Sequence, residues 1–399
     1  MISAYESGAS RRPWRSIWIA VGLICLCILL GLGLRKTNSH FSYRSSHILN
    51  DVGNSTLGFQ KIFVVSLPSR YDHRDAVSLA ASLTGLNIEY VSGTTDVDRK
   101  FLPPGGTERN LPAGALGCWR AHLDLLRMVV DNDISSALIM EDDADWDLRI
   151  KGQMRDFARA SQLLLQPKIG TTDQFLDASY PIPGEDQQAQ TFNIHSDFVT
   201  PAITSPYGDL DRWDLLWLGH CGTRFARASD LTVPLGRVIL PNDPSVPEAQ
   251  HLNMQFGNSE LMDDYPPHTR IVHRPWQAVC STAYAISQRG ARRMLYEAGI
   301  KSMIDPVDIM YQYVCNGIGN RTTASCVAPL PQLFQQHRPK GRTSTHSDIE
   351  HKGDSYNVQS FTRNIRWSTR LNFEQLLKGS NDYVDLFPDG GDPPKLEGP

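Results

Sequence analysis

Ala137-Leu138-Ile139-Met140 is an uninterrupted apolar run that ends abruptly in Glu141-Asp142-Asp143-Ala144-Asp145. Four apolar residues in succession read as a strand buried on both faces, the pattern of a parallel sheet. In open α/β sheets, ligands bind at the carboxyl ends of the strands. Carboxylates crowded at such an edge repel one another, and a divalent cation relieves the repulsion. Mg²⁺ or Mn²⁺ takes oxygen ligands and typically bridges one or two carboxylates to substrate phosphates. Glu141 and Asp143 alternate onto one strand face, and Asp143 with Asp145 spells D-x-D. The plainer reading is a solvated acidic turn that caps the next helix.

The surrounding pattern is α/β. Lys61 to Leu67 reads as a buried strand broken by Pro68, and 70–83 carries a helical stripe of Ala76, Val77, Ala80 and Leu83. Gly85 is a plausible stop, and Ile88 to Val91 returns as a strand, which completes a βαβ unit. Gly114 to Val130 is helical again, as is 151–165. Strands are expected at Asp214–Gly219, Val279–Ile286 and Val327–Gln336, with a helix from Gln288 to Ala298 closed by Gly299. Asp305 is expected to cap a helix that starts at Pro306 and ends at Asn316. Residues 166–212 and 222–268 show no readable pattern.

One segment departs from this soluble pattern. Ile17 to Leu34 contains no charge and is just long enough to span a bilayer as a helix. A cleaved signal peptide is the competing reading, but the apolar stretch is long for one and no clear cleavage site follows. The expected organisation is a cytoplasmic tail (1–16), a transmembrane signal anchor (17–34), a stem (35–60), a catalytic domain (61–377) and a flexible tail (378–399). The folded part would then lie in the lumen of the Golgi or endoplasmic reticulum, as a single-pass type II protein. The sequons at Asn54 and Asn320 permit that location. Outside the apolar span five cysteines remain, an odd count, and Cys315 with Cys326 is the pair nearest in sequence.

The net charge of −4, without a basic stripe, speaks against a nucleic-acid binder. No G-x-x-x-x-G-K-[ST], no G-x-G-x-x-G after a strand and no G-x-S-x-G is present.

The blocks IFVVSLPSRYDHR, GALGCWRAHLDLLR and ALIMEDDADWD resemble glycosyltransferase family 25. WDLLWLGHC, STAYAISQRGARRML and DPVDIMYQY follow in the expected order, with PLPQLFQQHR and HSDI as weaker matches. The resemblance implies a GT-A-like fold with a mostly parallel central sheet. It also implies a nucleotide-sugar donor (UDP-galactose or UDP-glucose) and transfer of the hexose with inversion. Glu141, Asp143, Asp145 and His337 become candidate ligands for Mn²⁺ or Mg²⁺, with Asp142 beside them. The family motif is an acidic triplet, which leaves Asp145 outside it. Arg70, Arg74, His122, Asp142 and Asp214 are the candidate donor-binding residues. Inversion by single displacement needs a base for the acceptor hydroxyl, and Asp308 is the candidate. The acceptor is a glycan, protein or lipid. Two other readings stand beside this one: a metal-dependent phosphoesterase, and a glycan- or nucleotide-binding module that turns nothing over.

Overall fold

The computed structural model describes residues 48–196, 198–230, 232–349 and 355–398. The expected anchor at 17–34 lies outside them. Among the described residues no helix is long and apolar enough to cross a membrane.

The βαβ opening forms as expected. Strand β1 (Lys61–Ser66), helix α1 (Tyr71–Thr84) and strand β2 (Glu89–Ser92) are followed by helix α2 (Ala113–Asp131) and strand β3 (Ser136–Glu141). β1 lies between β2 and β3, parallel to both. A two-residue turn leads to β4 (Ala144–Trp146), then to helix α3 (Ile150–Leu165). Within the two unreadable stretches lie β5 (Thr191–Asn193), β7 (Gly222–Phe225) and β8 (Arg237–Leu240); β6 (Leu215–Gly219) stands between them. The chain continues through β9 (Arg270–His273), β10 (Pro275–Val279), β11 (Ala283–Ser287), helix α4 (Gln288–Tyr296), helix α5 (Val307–Asn316), β12 (Cys326–Leu330) and β13 (Phe334–Arg338).

The main sheet runs β2-β1-β3-β11-β6-β12-β9-β8-β5. Strands β2, β1, β3, β6 and β12 share one direction, and β11 opposes them between β3 and β6. The central sheet is thus largely parallel. Its two faces explain the continuous apolar runs. Leu138 and Met140 pack with Val64, Met154 and Phe157 on one side. Ala137 and Ile139 pack with Phe63, Trp119, Leu126 and Met294 on the other. Each strand residue therefore meets a helix layer, and no face is left for polar alternation.

Several local expectations are corrected. Val279–Ile286 is not one strand: Cys280 has φ +66° and divides β10 from β11. Gly299 does not close α4, because 297–301 continues as a π turn. Asp305 does not cap α5; it binds Arg109 at 2.9 Å and accepts from the Tyr313 hydroxyl at 2.7 Å. Val327–Gln336 is interrupted at a cis Leu330–Pro331 bond and yields two strands. The end of the expected stem belongs to the fold, with Val52, Leu57 and Phe59 buried in the core. The segment after 378 is Gly- and Pro-rich yet packed: Phe387 is buried, Arg366 holds Asp385 at 2.6 Å, and Glu397–Gly398 pairs with Tyr356–Asn357. Composition there reported backbone preference, while side-chain anchors decide the outcome.

Candidate active site

The carboxyl ends of β1, β2 and β3 open onto a cleft of two joined lobes. The smaller, about 150 Å³, is lined by Ser66, Arg70, His73, Thr94, His122 and Asp143, among others. The larger, about 750 Å³, is lined by Asp308, Ser281, Arg338, Phe256 and the Cys221 and Cys280 pair. Cys118, Glu141, Gln336 and His346 border both lobes. The larger volume is within the range of small-molecule sites.

The acidic turn is held from several sides. The Glu141 N–H donates to Thr282 O at 2.9 Å, and the Ser281 hydroxyl donates to Glu141 Oε1 at 2.7 Å. Asp142 lies 2.8 Å from His73 Nδ1. Asp143 Oδ2 accepts from Arg338 Nη1 at 2.9 Å, while Asp143 Oδ1 is buried without a hydrogen-bond partner among the described residues. Burial pushes the Asp143 carboxyl up, and Arg338 opposes that shift. Behind the turn, buried Arg370 donates to the carbonyls of Asp142 and Ala144, each at 2.8 Å.

Asp145 is turned away from the triplet and is corrected as a metal ligand. It is fully buried and accepts from Thr362 Oγ1 at 2.6 Å, from the Ser368 hydroxyl and from the Arg370 N–H. Its oxygens are consumed in structure because β4 pairs with β13 and carries the side chain inward. His337 is corrected for a related reason. Gln335, Gln336 and Arg338 border the cleft, while His337 Nδ1 is turned to Thr362 Oγ1 at 2.9 Å on the neighbouring strand segment.

Of the other expected residues, Arg70 borders the smaller lobe, forked onto Asp72 and bound to Asp348 at 2.6 Å. Arg70 in turn holds the Asp72 carboxyl down at about 2. His122 is buried at the same lobe, its Nδ1 2.9 Å from the Tyr284 hydroxyl. Arg74 does not join them: its guanidinium lies over the Tyr90 ring, 4.5 Å from the centroid. Asp214 does not either. It precedes β6, so it sits at the opposite edge of the sheet, where Arg289 and Arg293 bind it at 2.9 and 3.0 Å.

Asp308 borders the larger lobe from the first turn of α5. Its Oδ2 accepts from the Cys280 N–H at 2.8 Å. Burial, then Glu141 nearby, raises its carboxyl above the ordinary range; hydrogen bonds from Cys280 and Ile309 pull the other way. Cys280 is fixed by a disulfide to Cys221 and by Trp217 Nε1, which donates to its carbonyl at 2.8 Å. A second disulfide joins Cys315 to Cys326, and Cys118 is a free thiol. Sequence reasoning passed over His73, Ser281, Arg338 and Arg370. Nothing local marks Arg370.

Residues 59–180 match the model of glycosyltransferase family 25 (LPS biosynthesis protein). The matched span holds β1, the acidic triplet and the helix that presents His122. Over residues 59–180 the chain is thus similar to family 25 glycosyltransferases. One curated relative, from Bos taurus, is named "Probable inactive glycosyltransferase 25 family member 3"; it is 28% identical over 116 residues, 25% of this chain and 19% of the relative. The match thus spans about a fifth of that relative's length. The matched segment supplies one wall of the cleft, and Asp308, Arg338 and His346 supply the other from beyond it.

Proposed function

We propose that the chain is a glycosyltransferase that moves a hexose, galactose or glucose, from a UDP-sugar to an acceptor hydroxyl with inversion. Mn²⁺ or Mg²⁺ would assist, and the enzyme would act in the Golgi or endoplasmic reticulum on a type II membrane anchor at 17–34. The observation that carries this reading is the acidic triplet of the family 25 match at the mouth of a cleft whose far wall holds a half-buried carboxylate, Asp308.

The residues present fit a hard divalent cation. Asp143 Oδ1 is buried and without a hydrogen-bond partner among the described residues, and Glu141 reaches the same lobe. Bound there by Asp143 and Glu141, the cation would supply Lewis-acid neutralisation of a diphosphate leaving group. The chain's own cations support the same end: Arg70 and Arg338 stand where a diphosphate would lie, and guanidinium forks suit phosphate oxygens. Asp308 is placed to take the acceptor proton. Its raised pKa makes it a better base than an ordinary carboxylate. The Cys280 N–H orients the carboxylate through Oδ2.

A second reading, a module that binds a sugar nucleotide without turnover, has one observation in its favour. Asp143 already has Arg338 as counter-charge and Asp142 already has a hydrogen-bond partner in His73, so the triplet is partly satisfied without a metal. One experiment separates the two. The chain is incubated with a panel of UDP-sugars and simple sugar acceptors, with and without Mn²⁺, and UDP release and sugar transfer are measured. Metal-dependent transfer that disappears in Asp143→Ala supports the enzyme. UDP binding without turnover for any donor sinks it.

A further inference from the structure

We propose that Cys118, His122 and Glu141 form a binding site for a borderline divalent cation of the Zn²⁺ class, which shares Glu141 with the oxygen-only site expected of the triplet but differs in its other ligands. Cys118 and His122 are one helical turn apart on α2 and share a face. Glu141 comes to them from the end of β3. One ligand atom from each lies within 4.8 Å of the other two.

The geometry is that of a preorganised ligand set. His122 is 1% exposed, and its Nε2 has no hydrogen-bond partner among the described residues. A buried ring nitrogen left that way costs free energy unless something engages it. Glu141 Oε1 stands 3.6 Å from Nε2, too far for a hydrogen bond. Two ligand atoms on a tetrahedral ion, each at roughly 2.0–2.1 Å, are separated by nearly that distance. The opposite ring nitrogen, Nδ1, is fixed by the Tyr284 hydroxyl at 2.9 Å, itself 3.3 Å from the Tyr311 hydroxyl. Metal-binding histidines characteristically have their second nitrogen held in this manner. Ser281 does the same for the Glu141 carboxylate. The fourth position opens to the cleft, since Cys118 and Glu141 border both lobes.

Sulfur and imidazole select the class of ion. Mn²⁺ and Mg²⁺ favour oxygen, whereas thiolate with imidazole suits Zn²⁺ or its spectroscopic substitute Co²⁺. Glu141, Asp308 and Asp143 place a negative field around Cys118. The same negative field attracts a dication. Binding as thiolate releases the Cys118 proton to solvent as the S–metal bond forms. Because Glu141 is common to both sets, the two kinds of ion compete for it.

Titration of the purified chain with Co²⁺ tests this. A near-ultraviolet thiolate-to-cobalt band saturating at one equivalent is expected, with the intense visible bands of a tetrahedral site. One equivalent of Zn²⁺ should abolish both. Cys118→Ser, nearly isosteric, should lose the near-ultraviolet band, and His122→Gln should weaken Co²⁺ binding at least tenfold. Absence of the band from the unaltered chain, or its survival in Cys118→Ser, overturns the proposal. No sugar transfer is read, so the outcome stands apart from the transferase reading.

Discussion

Arg338 Nη1 donates to Asp143 Oδ2 at 2.9 Å across the cleft, joining the third residue of the acidic triplet to a strand almost two hundred residues later. The pair is largely buried, with side chains 16% and 13% exposed. Removing one partner leaves the other charge uncompensated, at a cost of about 3 kcal/mol. Arg338→Met should lower stability by that order, and adding Asp143→Asn should recover part of it. Urea denaturation of the two single variants and the double checks this; additive losses would show the pair is uncoupled. In the transfer assay, Asp143→Ala should reduce metal-dependent turnover by about 10²–10³, a loss of the order seen when a group stabilising developing charge is removed.

The βαβ opening, α2, α3 and the acidic strand end were legible because local periodicity and burial agree there. Leu138 and Ile139 serve opposite helix layers, which is what an unbroken apolar run records. The structure brings the triplet and Asp308 to the borders of one cleft, as their places at a strand end and a helix start led one to expect. Asp145 misled because spelling places it two residues from Asp143, while pairing of β4 with β13 turns it inward. His337 misled because its ring is taken up by Thr362, and the cleft falls to its neighbours Gln335, Gln336 and Arg338. Asp214 misled because it belongs to the opposite edge of the sheet. Each error concerns direction in space, which residue type alone does not carry.

The Cys221–Cys280 link closes a loop with 59 residues of separation. Loss of a crosslink of that span costs about 4 kcal/mol through unfolded-chain entropy. Cys280 also holds φ +66°, a conformation that costs roughly 1–3 kcal/mol when it must be enforced. The paired variant Cys221→Ala with Cys280→Ala should therefore be less stable and, because the residue-280 N–H positions Asp308, should lose kcat more than UDP affinity. Thermal melting and isothermal titration with UDP read the two effects separately. Equal losses in both would count against a positioning role.

Asp308 is raised by burial, so its carboxylate form is populated only above the ordinary carboxylate range near 4. Turnover should fall on the acid side with a midpoint above that value, and Asp308→Asn should remove about 10²–10⁴ of the rate. A kcat against pH curve with no acid limb above pH 4, or an active Asp308→Asn, would exclude it as the base.

His220 and His273 are buried and held low, at about 4 and about 3, chiefly by desolvation. The unfolded chain takes up protons below roughly pH 6.5 that the folded chain refuses, so stability is full above that pH and declines beneath it. By pH 5 the loss is on the order of 2 kcal/mol per histidine. Urea midpoints at pH 7.5 and pH 5 should differ accordingly; coincident midpoints would show these rings remain hydrated.

Gly117 has no room for a side chain, because a Cβ there would lie 2.2 Å from Thr94 O. Alanine would favour the helix by about 1 kcal/mol. The clash is with backbone and cannot be relieved by a rotamer. Gly117→Ala should push the 93–95 loop outward and weaken UDP binding at least tenfold, while circular dichroism stays unchanged. Unaltered UDP affinity would remove that loop from the donor site.

Asp145 meets Thr362, Ser368 and Arg370 across sequence separations of 217, 223 and 225 residues. These props arrive late in synthesis, so the acidic turn matures only after the 361–372 segment has emerged and docked. A fragment cut at residue 350 would lack Thr362, Ser368 and Arg370, and with them the bonds that hold Asp145 and the carbonyls of Asp142 and Ala144. For this chain the smallest piece worth expressing is set by its scaffolding, well downstream of the last readable signature.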